Sequence, residues 1–301
     1  MCSRWEKSKR DKFELFRKTQ LEIENAKEYT EGDIADIKDL YDVFLVGSDQ
    51  VWNPDAHNFD KNFYLDFVSQ KHKKHSYAAS FGVDCLEEKY HDECRRMLSD
   101  FSICSVRESR GVKIVSDIAG VESRVDLDPV FLLNKKDWQK NFNLHNSTEK
   151  YVVIYTFYLS DLQKKAARFC YEAGYKVKYI GKPLRNLFDF PCEFVSAASP
   201  LDFVNLFFGA SFVITNSFHG TAFSINFNKP VAVELLPNGN RVSSRLLSIL
   251  DLLEMNDRLI SDVDSIKRVI ETPIDWNTVN SRIDDLRQSS LEYIEECLIN
   301  E

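Results

Sequence analysis

The chain has 301 residues, of which 44% are hydrophobic and 13% aromatic, so it can bury a sizeable core, and its length suggests two domains. Its formal net charge is −8, and so acidic a chain lacks the cationic surface that general nucleic-acid binding requires. The seven cysteines include no C-x-x-C pair, which argues against a zinc site and a disulfide scaffold.

The N-terminal residues lack the apolar stretch of a signal peptide, and no apolar run approaches the roughly 18 residues that a membrane span requires. We therefore expect a cytoplasmic protein without an integral membrane segment. Peripheral contact with the inner face of a membrane is compatible with this expectation.

Strands and helices alternate in the first half of the predicted structure. A charged stretch at 4–29 has loosely helical spacing, and a buried strand at 42–47 leads into the polar loop 48–54. The other predicted elements of this half are strands at 75–82 and 101–108 and helices at 84–100 and 109–119.

The polar residues 134–150 are predicted to be a linker, which gives an N-terminal domain at 1–148 and a C-terminal domain at 149–301. The second half alternates in the same way, with strands at 151–155, 176–180, 192–195, 212–215 and 231–234 and helices at 160–173, 200–209, 217–226, 243–254 and 277–299. We expect the last helix to pack back on the N-terminal domain.

This alternation predicts an α/β fold with parallel sheets covered on both faces. Ligands of such sheets bind beyond the carboxyl ends of the strands. The polar clusters of this sequence follow predicted strands, so the candidate sites lie at those ends.

The strongest local signal is the turn Thr215–Thr221, where a strand runs directly into a helix. The first N–H groups of the helix favour an anion, Asn216 or Ser217 can cap it, and Gly220 permits close approach to the backbone. His219 can donate to a phosphate or carboxylate, or move a proton near neutral pH. The alternative is a capped helix with a structural histidine.

Two further clusters follow strands of the first half. Arg107 offers a planar fork for carboxylate or phosphate, whereas the alternative is a surface pair with Glu108. In the loop after 42–47, Asp49 can act as a base or bind a hydroxyl, and Trp52 can either stack on a sugar or pack beneath the loop. The stretch 126–129 is predicted to end a strand and turn.

The sequence contains no G-x-S-x-G, no P-loop and no G-x-G-x-x-G, so esterase, NTPase and dinucleotide-binding functions lose their usual support. Arg241 follows the last predicted strand and can join His219 at the same sheet edge. The remaining histidines show no ligand-like spacing.

Five clusters taken together resemble the polysaccharide pyruvyl transferase family. In chain order they are Tyr41-Asp42-Val43-Phe44-Leu45-Val46-Gly47-Ser48-Asp49-Gln50-Val51-Trp52-Asn53, Ser76-Tyr77-Ala78-Ala79-Ser80-Phe81-Gly82, Ser105-Val106-Arg107-Glu108, Leu127-Asp128-Pro129 and Val213-Ile214-Thr215-Asn216-Ser217-Phe218-His219-Gly220. Each motif alone is weak, whereas their order and rough spacing over 40–260 are specific.

The resemblance implies a GT-B-like fold, with two Rossmann-like domains facing a cleft. It also implies transfer of pyruvate from phosphoenolpyruvate to a sugar or lipid-linked oligosaccharide, forming a ketal in exopolysaccharide biosynthesis for the bacterial cell envelope. The N-terminal domain would be the acceptor side and the C-terminal domain the donor side. No metal and no cofactor are expected, because phosphoenolpyruvate is the donor substrate.

The resemblance and the residue chemistry together suggest site roles. The catalytic candidates are His219 as the acid, Glu108 as a second acid and Asp49 as base or hydroxyl anchor. The donor-binding candidates are Arg107, Ser217, Phe218, His219, Gly220 and Arg241. The acceptor-binding candidates are Ser48, Asp49, Gln50, Trp52 and Asn53.

One departure from the family concerns the N-terminus. Members typically open with a strand and a turn resembling N-Y-G-A-x-L-Q, and nothing in the 46 residues before Gly47 resembles it. We therefore expect the N-terminal domain to lack its first strand and helix. Two alternatives stay open: a GT-B glycosyltransferase that uses a nucleotide sugar, and a non-catalytic truncated member.

Overall fold

The computed structural model of the chain describes residues 4–20, 34–57, 59–181, 187–236 and 243–299. It divides into two compact units made of non-contiguous segments. Unit 1 comprises Met1–Ala26, Leu133–Pro237 and Met255–Trp276, and unit 2 comprises Lys27–Leu132, Asn238–Glu254 and Asn277–Glu301. These ranges differ from the predicted domains 1–148 and 149–301, because the first helix packs with the second half of the chain.

The strands in the described part of the chain are β1 (Phe44–Val46), β2 (Lys74–Ser76), β3 (Ile103–Val106), β4 (Glu122–Val125), β5 (Tyr151–Tyr155), β6 (Lys176–Ile180), β7 (Glu193–Val195), β8 (Phe212–Thr215) and β9 (Val231–Val233). The α-helices are α1 (Arg4–Gln20), α2 (Pro54–His57), α3 (His91–Leu98), α4 (Ser109–Ala119), α5 (Lys135–Phe142), α6 (Asp161–Glu172), α7 (Pro200–Gly209), α8 (Phe218–Asn226), α9 (Ser243–Leu252), α10 (Val263–Glu271) and α11 (Trp276–Ile299). Short 3₁₀ helices occupy Ile34–Asp39, Lys61–Tyr64, Lys71–Lys73, Glu88–Tyr90, Pro129–Phe131 and Asn256–Arg258.

Unit 1 contains one parallel sheet in the order β7-β6-β5-β8-β9. Its central strand β5 reads Tyr-Val-Val-Ile-Tyr, an apolar and partly β-branched run that suits a strand buried on both faces. The chain order reverses between β5 and β8, where Tyr155 pairs with Thr215. In open α/β sheets this reversal marks the position at which ligands bind.

Unit 2 contains two parallel pairs, β1-β2 and β3-β4. Ala79, just beyond β2, links them: its N–H donates to Ser105 O at 3.1 Å, and its carbonyl accepts from the Arg107 N–H at 3.1 Å. The buried core beneath these strands includes Trp52 and Phe81. Unit 2 thus also has a parallel α/β arrangement, with strands of only three or four residues.

Gly47 directly follows β1 and lies under a tight steric constraint. Its φ is +137°, and a Cβ there would lie 1.9 Å from the Tyr77 carbonyl oxygen. Its peptide bond to Ser48 is cis. Because of its positive φ and the close Tyr77 carbonyl, the glycine of the G-S-D-Q motif is required at this position.

The predicted linker at 134–150 is wrong for its first part, which forms α5. Asn134 caps this helix by accepting from the N–H groups of Lys136 at 2.8 Å and Asp137 at 3.1 Å. Trp138 and Phe142, four positions apart, pack against each other with ring centroids 4.9 Å apart and ring planes inclined by 30°. A capping box and an aromatic pair outweigh the polar composition of the segment.

The terminal helix α11 packs on the strands of unit 2. Tyr293 Oη donates to Ser76 O at 3.1 Å, and Ser290 Oγ donates to Asp126 Oδ1 at 3.1 Å. In the part of the chain that is described, no helix combines the length and apolar character that crossing a membrane requires.

Candidate functional site

The carboxyl ends of the unit 2 strands carry a charged cluster centred on Arg107. This guanidinium donates to Asp128 Oδ2 at 2.8 Å and to Asp49 Oδ1 at 3.0 Å. The Arg107 and Asp128 side chains are only 1% and 2% exposed, whereas that of Asp49 is 61% exposed. Arg107 is therefore a buried, anchored cation and not half of a surface pair.

The charges around Arg107 keep it protonated. Burial alone would lower its pKa, but the carboxylates of Asp128, Glu108 and Asp49 outweigh that effect and raise the pKa above its ordinary value. The Arg107 guanidinium is thus a permanent cation buried within the cluster.

Arg245 is a second guanidinium in this cluster, and the sequence interpretation missed it. It lies on α9, its side chain is 5% exposed, and its Nη1 lies 3.7 Å from the same Asp49 Oδ1. With the Gln50 amide oxygen turned toward it, Gln50 accepts from both terminal nitrogens at 3.2 Å. The sequence feature that could have identified Arg245 is the presence of an arginine on the buried face of the predicted helix 243–254.

Arg245 is buried close to one like charge, that of Arg107, and to the carboxylates of Glu108, Asp49 and Asp128, which act in the opposite direction on its pKa. Burial, and next the neighbouring charge of Arg107, lower the pKa of Arg245 to about 10, so it remains charged at neutral pH. Its Nε has no hydrogen-bond partner among the described residues. The predicted partner Arg241 lies outside the described residues.

Glu108 holds the backbone of the neighbouring loop. Its Oε1 accepts from Ser80 Oγ at 3.0 Å and from the N–H groups of Phe81 at 3.0 Å and Gly82 at 3.2 Å. It is fully buried, and burial raises its pKa, although the charge of Arg107 opposes this. Glu108 is therefore an anchor for 80–82, which departs from the predicted role of a proton donor to substrate.

The loop 48–53 separates into exposed and buried side chains. Trp52 is 1% exposed, donates to Phe63 O at 2.9 Å and stacks on Tyr64 with centroids 5.6 Å apart. Asn53 is also buried and accepts from Asp55 N at 2.9 Å in an Asx turn. These two residues support the loop, so neither presents the free surface that the predicted acceptor contacts need.

Ser48 and Asp49 remain at the surface of the cluster. Ser48 Oγ donates to Asp128 Oδ2 at 3.1 Å, which leaves Asp49 as the most exposed carboxylate beside the two guanidiniums. Unit 2 therefore brings together five of the predicted residues, namely Ser48, Asp49, Gln50, Arg107 and Glu108, and adds Arg245 and Asp128.

Unit 1 carries the turn from β8 into α8. Thr215 Oγ1 donates to Tyr155 O at 2.6 Å and accepts from Ser217 N at 3.0 Å. Ser217 is the N-cap of α8 and accepts from Gly220 N at 3.4 Å. A Cβ on Gly220 would lie 2.4 Å from Thr215 Oγ1, so the glycine lets the helix start against the strand end.

Asn216 fixes the loop that follows β5. Its Oδ1 accepts from Phe157 N at 2.9 Å, and its Nδ2 donates to Tyr158 O at 2.8 Å. The two aromatic side chains of this loop are 68% and 63% exposed. The polar side chains of the turn thus hold the backbone of the turn and of the neighbouring loop. The side chain of Phe218 is buried, which departs from its predicted contact with the donor.

His219 lies on the first turn of α8 and is partly exposed. It lines a cavity of about 740 Å³ at the carboxyl ends of β5, β6 and β7. The cavity walls are mainly apolar and aromatic. His219 is the predicted site residue of unit 1 that faces this cavity.

Glu234 follows β9 at the same sheet edge, and the sequence interpretation missed it. Its N–H donates to Thr215 O at 3.0 Å, and its carboxylate accepts from Ser160 Oγ at 2.5 Å. Burial raises the pKa of Glu234, and the hydrogen bond from Ser160 offsets part of this rise. A half-buried carboxyl with a raised pKa suits proton transfer.

Comparisons with known proteins complete the description. The family model "Polysaccharide pyruvyl transferase" matches residues 3–233. A UDP-GlcNAc 2-epimerase from Neisseria meningitidis bound to UDP-GlcNAc matches with 10% identity and a TM-score of 0.50, over 90% of this chain and 80% of that chain. A glycosyltransferase from Rickettsia africae matches with 10% identity and a TM-score of 0.43, over 92% and 85% of the two chains. No curated protein sequence matches significantly.

The similarity to the epimerase shows the fold alone, a GT-B-like arrangement of Rossmann-like α/β units, as the resemblance implied. The family match covers more than three quarters of the sequence, including the G-S-D-Q and S-F-H-G motifs. This chain belongs to the polysaccharide pyruvyl transferase family.

Proposed function

We propose that the chain transfers pyruvate from phosphoenolpyruvate to a sugar, forming a ketal across two hydroxyl groups of a cell-surface polysaccharide unit. Membership of a transferase family supports the reaction class. The observation that carries the proposal is the pair of buried guanidiniums, Arg107 and Arg245, around the exposed Asp49 carboxylate.

Phosphoenolpyruvate carries a carboxylate and a phosphate on a three-carbon skeleton, so its recognition needs two cationic groups close together. Arg107 and Arg245 contact the same Asp49 oxygen at 3.0 and 3.7 Å. A donor anion would compete with Asp49 for these guanidiniums. Release of Asp49 would then make its carboxylate available to a sugar hydroxyl.

The proposed reaction has a balanced course. A sugar hydroxyl attacks the central carbon of the donor while its methylene carbon gains a proton and becomes a methyl group. The carbon–oxygen bond to phosphate then breaks, and a second hydroxyl closes the ketal. Of the two hydroxyl protons, one restores the acid group of the enzyme that protonated the methylene carbon, and the other leaves with phosphate.

In this scheme His219 is the proton donor to the methylene carbon, and Asp49 accepts the proton of the attacking hydroxyl. Glu234 is a second carboxyl able to take or return a proton. No residue of the scheme depends on a metal or a bound cofactor.

Calorimetry with phosphoenolpyruvate separates binding from chemistry. The wild-type chain should bind the donor, Arg245→Gln should weaken binding at least tenfold, and His219→Asn should bind normally. Arg168→Gln, which removes a surface arginine of unit 1, serves as the matched control.

Phosphate release with a panel of sugar acceptors tests turnover. The wild type and Arg168→Gln should release phosphate, whereas His219→Asn should lose at least a hundredfold in kcat. If UDP or GDP raised the melting temperature of the protein and phosphoenolpyruvate did not bind, the proposal would be overturned in favour of a glycosyltransferase that uses a nucleotide sugar. Donor binding without turnover on any acceptor would instead identify a non-catalytic member.

A further inference from the structure

Two lysines of unit 1 share one aromatic ring at the amino end of the sheet, the edge opposite His219. Lys135 is the first residue of α5, and Lys229 lies between α8 and β9. The Nζ atoms of both lie 5.7 Å from the centroid of the Phe208 ring. Phe208 is fully buried and both lysines are partly buried, so the two amines lie against the same apolar surface.

Local hydrogen bonds hold the two lysine segments side by side. Asn226 Nδ2, at the end of α8, donates to Leu133 O, just before α5, at 2.9 Å. The Lys229 N–H donates to Ser224 O of α8 at 2.8 Å. The proximity of the two amines is therefore set by the fold of unit 1.

The two amines are not neutralised by an acid in the described part of the chain. No carboxylate there contributes to the pKa of either amine, since the causes are burial and, for Lys229, the charge of Lys135. The carboxylate of Asp137, two positions after Lys135, instead accepts from the Asn134 N–H at 3.3 Å. The pair is thus a small cationic site beside an apolar ring.

The proximity of the two amines makes one of them a better nucleophile. Burial, and next the charge of Lys135, lower the pKa of Lys229 to about 8, so about half of Lys229 is the neutral amine at pH 8. Once Lys229 is neutral, it no longer opposes the charge on Lys135. Desolvation and a second cation are the two means by which proteins activate a lysine nucleophile.

We propose that Lys229 is an acylation site whose acyl donor is a small acyl phosphate, and that the Lys135 ammonium binds the phosphate group of that donor. The Lys229 nitrogen attacks the carbonyl carbon, a carbon–nitrogen bond forms, and the carbon–oxygen bond to phosphate breaks. Phosphate leaves with the bonding electron pair and takes the proton that the amine loses. The product is a neutral amide, which removes the like-charge repulsion between the two side chains.

The arrangement favours an acyl phosphate over a neutral acyl donor. An acyl phosphate carries its negative charge directly beside the electrophilic carbon, which matches a cation beside a nucleophile. A neutral donor gains nothing from the Lys135 ammonium. The proposal goes beyond the proposed function and does not depend on it, because neither lysine belongs to that reaction.

Incubation of the full chain with acetyl phosphate at pH 8 tests the proposal. Mass spectrometry of peptides cut at acidic residues then gives the acetylation rate at each lysine. Lys229 should react at least tenfold faster than the exposed Lys136. Lys135→Gln should slow acetylation of Lys229 at least fivefold, Lys135→Arg should retain most of the rate because it keeps the cation, and the control Lys136→Gln should change nothing.

A neutral acyl donor separates phosphate binding from simple amine reactivity. With the acetyl ester of N-hydroxysuccinimide, Lys135→Gln should slow the reaction of Lys229 less than with acetyl phosphate. Inorganic phosphate should inhibit only the reaction with acetyl phosphate. Acetylation of Lys229 no faster than of Lys136 would overturn the acylation site, and an equal effect of Lys135→Gln on both donors would overturn the phosphate-binding role of Lys135.

Discussion

Both units carry their candidate site residues at the carboxyl ends of parallel strands, but the side chains found there differ in charge and polarity. In unit 2 the position holds two buried guanidiniums and the carboxylates that neutralise them. In unit 1 it holds a histidine on the wall of an apolar cavity and, directly after β9, a half-buried carboxyl. One region suits anion recognition, and the other suits apolar recognition and proton transfer.

The difference also concerns how each region is held rigid. The charges of unit 2 are fixed mainly by one another, through Arg107, Asp128 and Asp49. The turn of unit 1 is fixed by neutral groups, with Thr215 and Asn216 bonded to the loop after β5. Removing one charge should therefore damage unit 2 far more than removing one polar group damages unit 1.

Arg107→Met should have the largest effect on stability. It leaves the buried Asp128 carboxylate without its guanidinium, and breaking such a pair typically costs about 3–5 kcal/mol. Chemical denaturation at pH 7 would measure the change in the free energy of unfolding.

Arg168→Met is the matched comparison, because its side chain is 40% exposed and pairs with Glu172 at the surface of unit 1. It should cost about 1 kcal/mol or less. If the two variants lost similar stability, the buried pair of unit 2 would not be the strong contact that its burial implies.

Gly220→Ala tests the neutral turn of unit 1 and should cost about 1–3 kcal/mol. The added methyl group would meet Thr215 Oγ1 at 2.4 Å, and Thr215 cannot withdraw without losing its bond to Tyr155 O. In a double-mutant cycle, Thr215→Ala should recover part of this loss, since it removes the clashing oxygen. Additive losses in the cycle would show that the two residues do not constrain each other.

Much of the fold follows from the sequence. The predicted bounds of β5, β6 and β8 were correct to the residue: β5 and β8 are buried strands that read as nearly continuous apolar runs, whereas β6 alternates between lysine and apolar residues at its start. The helix predicted at 109–119 was also correct, since its end is set by Gly120 in the left-handed conformation. For the short strand β4 the sequence predicted only the end, at 126–129, because Glu122-Ser-Arg-Val carries no apolar run that would mark where the strand begins.

The site was less predictable, because it depends on contacts between distant parts of the chain. Arg245 reaches Asp49 from a helix almost 200 positions later, and no local pattern marks that pairing. The role of Trp52 depended on its burial, which a loop sequence does not specify. Conversely, the capped turn at Ser217 was predictable, because capping is a local interaction.

Asn216→Ala should cost about 1 kcal/mol, less than the glycine substitution. It removes both hydrogen bonds that hold the 157–158 backbone, but this loop is near solvent, so water can replace part of what is lost. Amide hydrogen exchange should show faster exchange at Phe157 and little change in β5. Unchanged exchange at Phe157 would mean that Asn216 does not hold the loop.

Lys229→Met should have the smallest effect, and it should be stabilising, by about 1 kcal/mol at pH 7. Lys229 and Lys135 both lie 5.7 Å from the centroid of the Phe208 ring, and burial, followed by the charge of Lys135, lowers the pKa of Lys229 to about 8. The attraction of the ammonium to the ring is thus smaller than the cost of its partial desolvation.

The same pKa shift predicts how the stability of the wild type depends on pH. Since the pKa in the unfolded chain is near 10.5, the unfolded chain binds more protons between pH 8 and 10.5, and wild-type stability should rise with pH across that window. Urea denaturation should therefore show that Lys229→Met raises the free energy of unfolding at pH 7 and raises it less at pH 10. Lys136→Met, which removes an exposed lysine, should leave the free energy of unfolding unchanged at both pH values. A loss of stability at pH 7 would mean that the contact with the ring outweighs the desolvation of the ammonium.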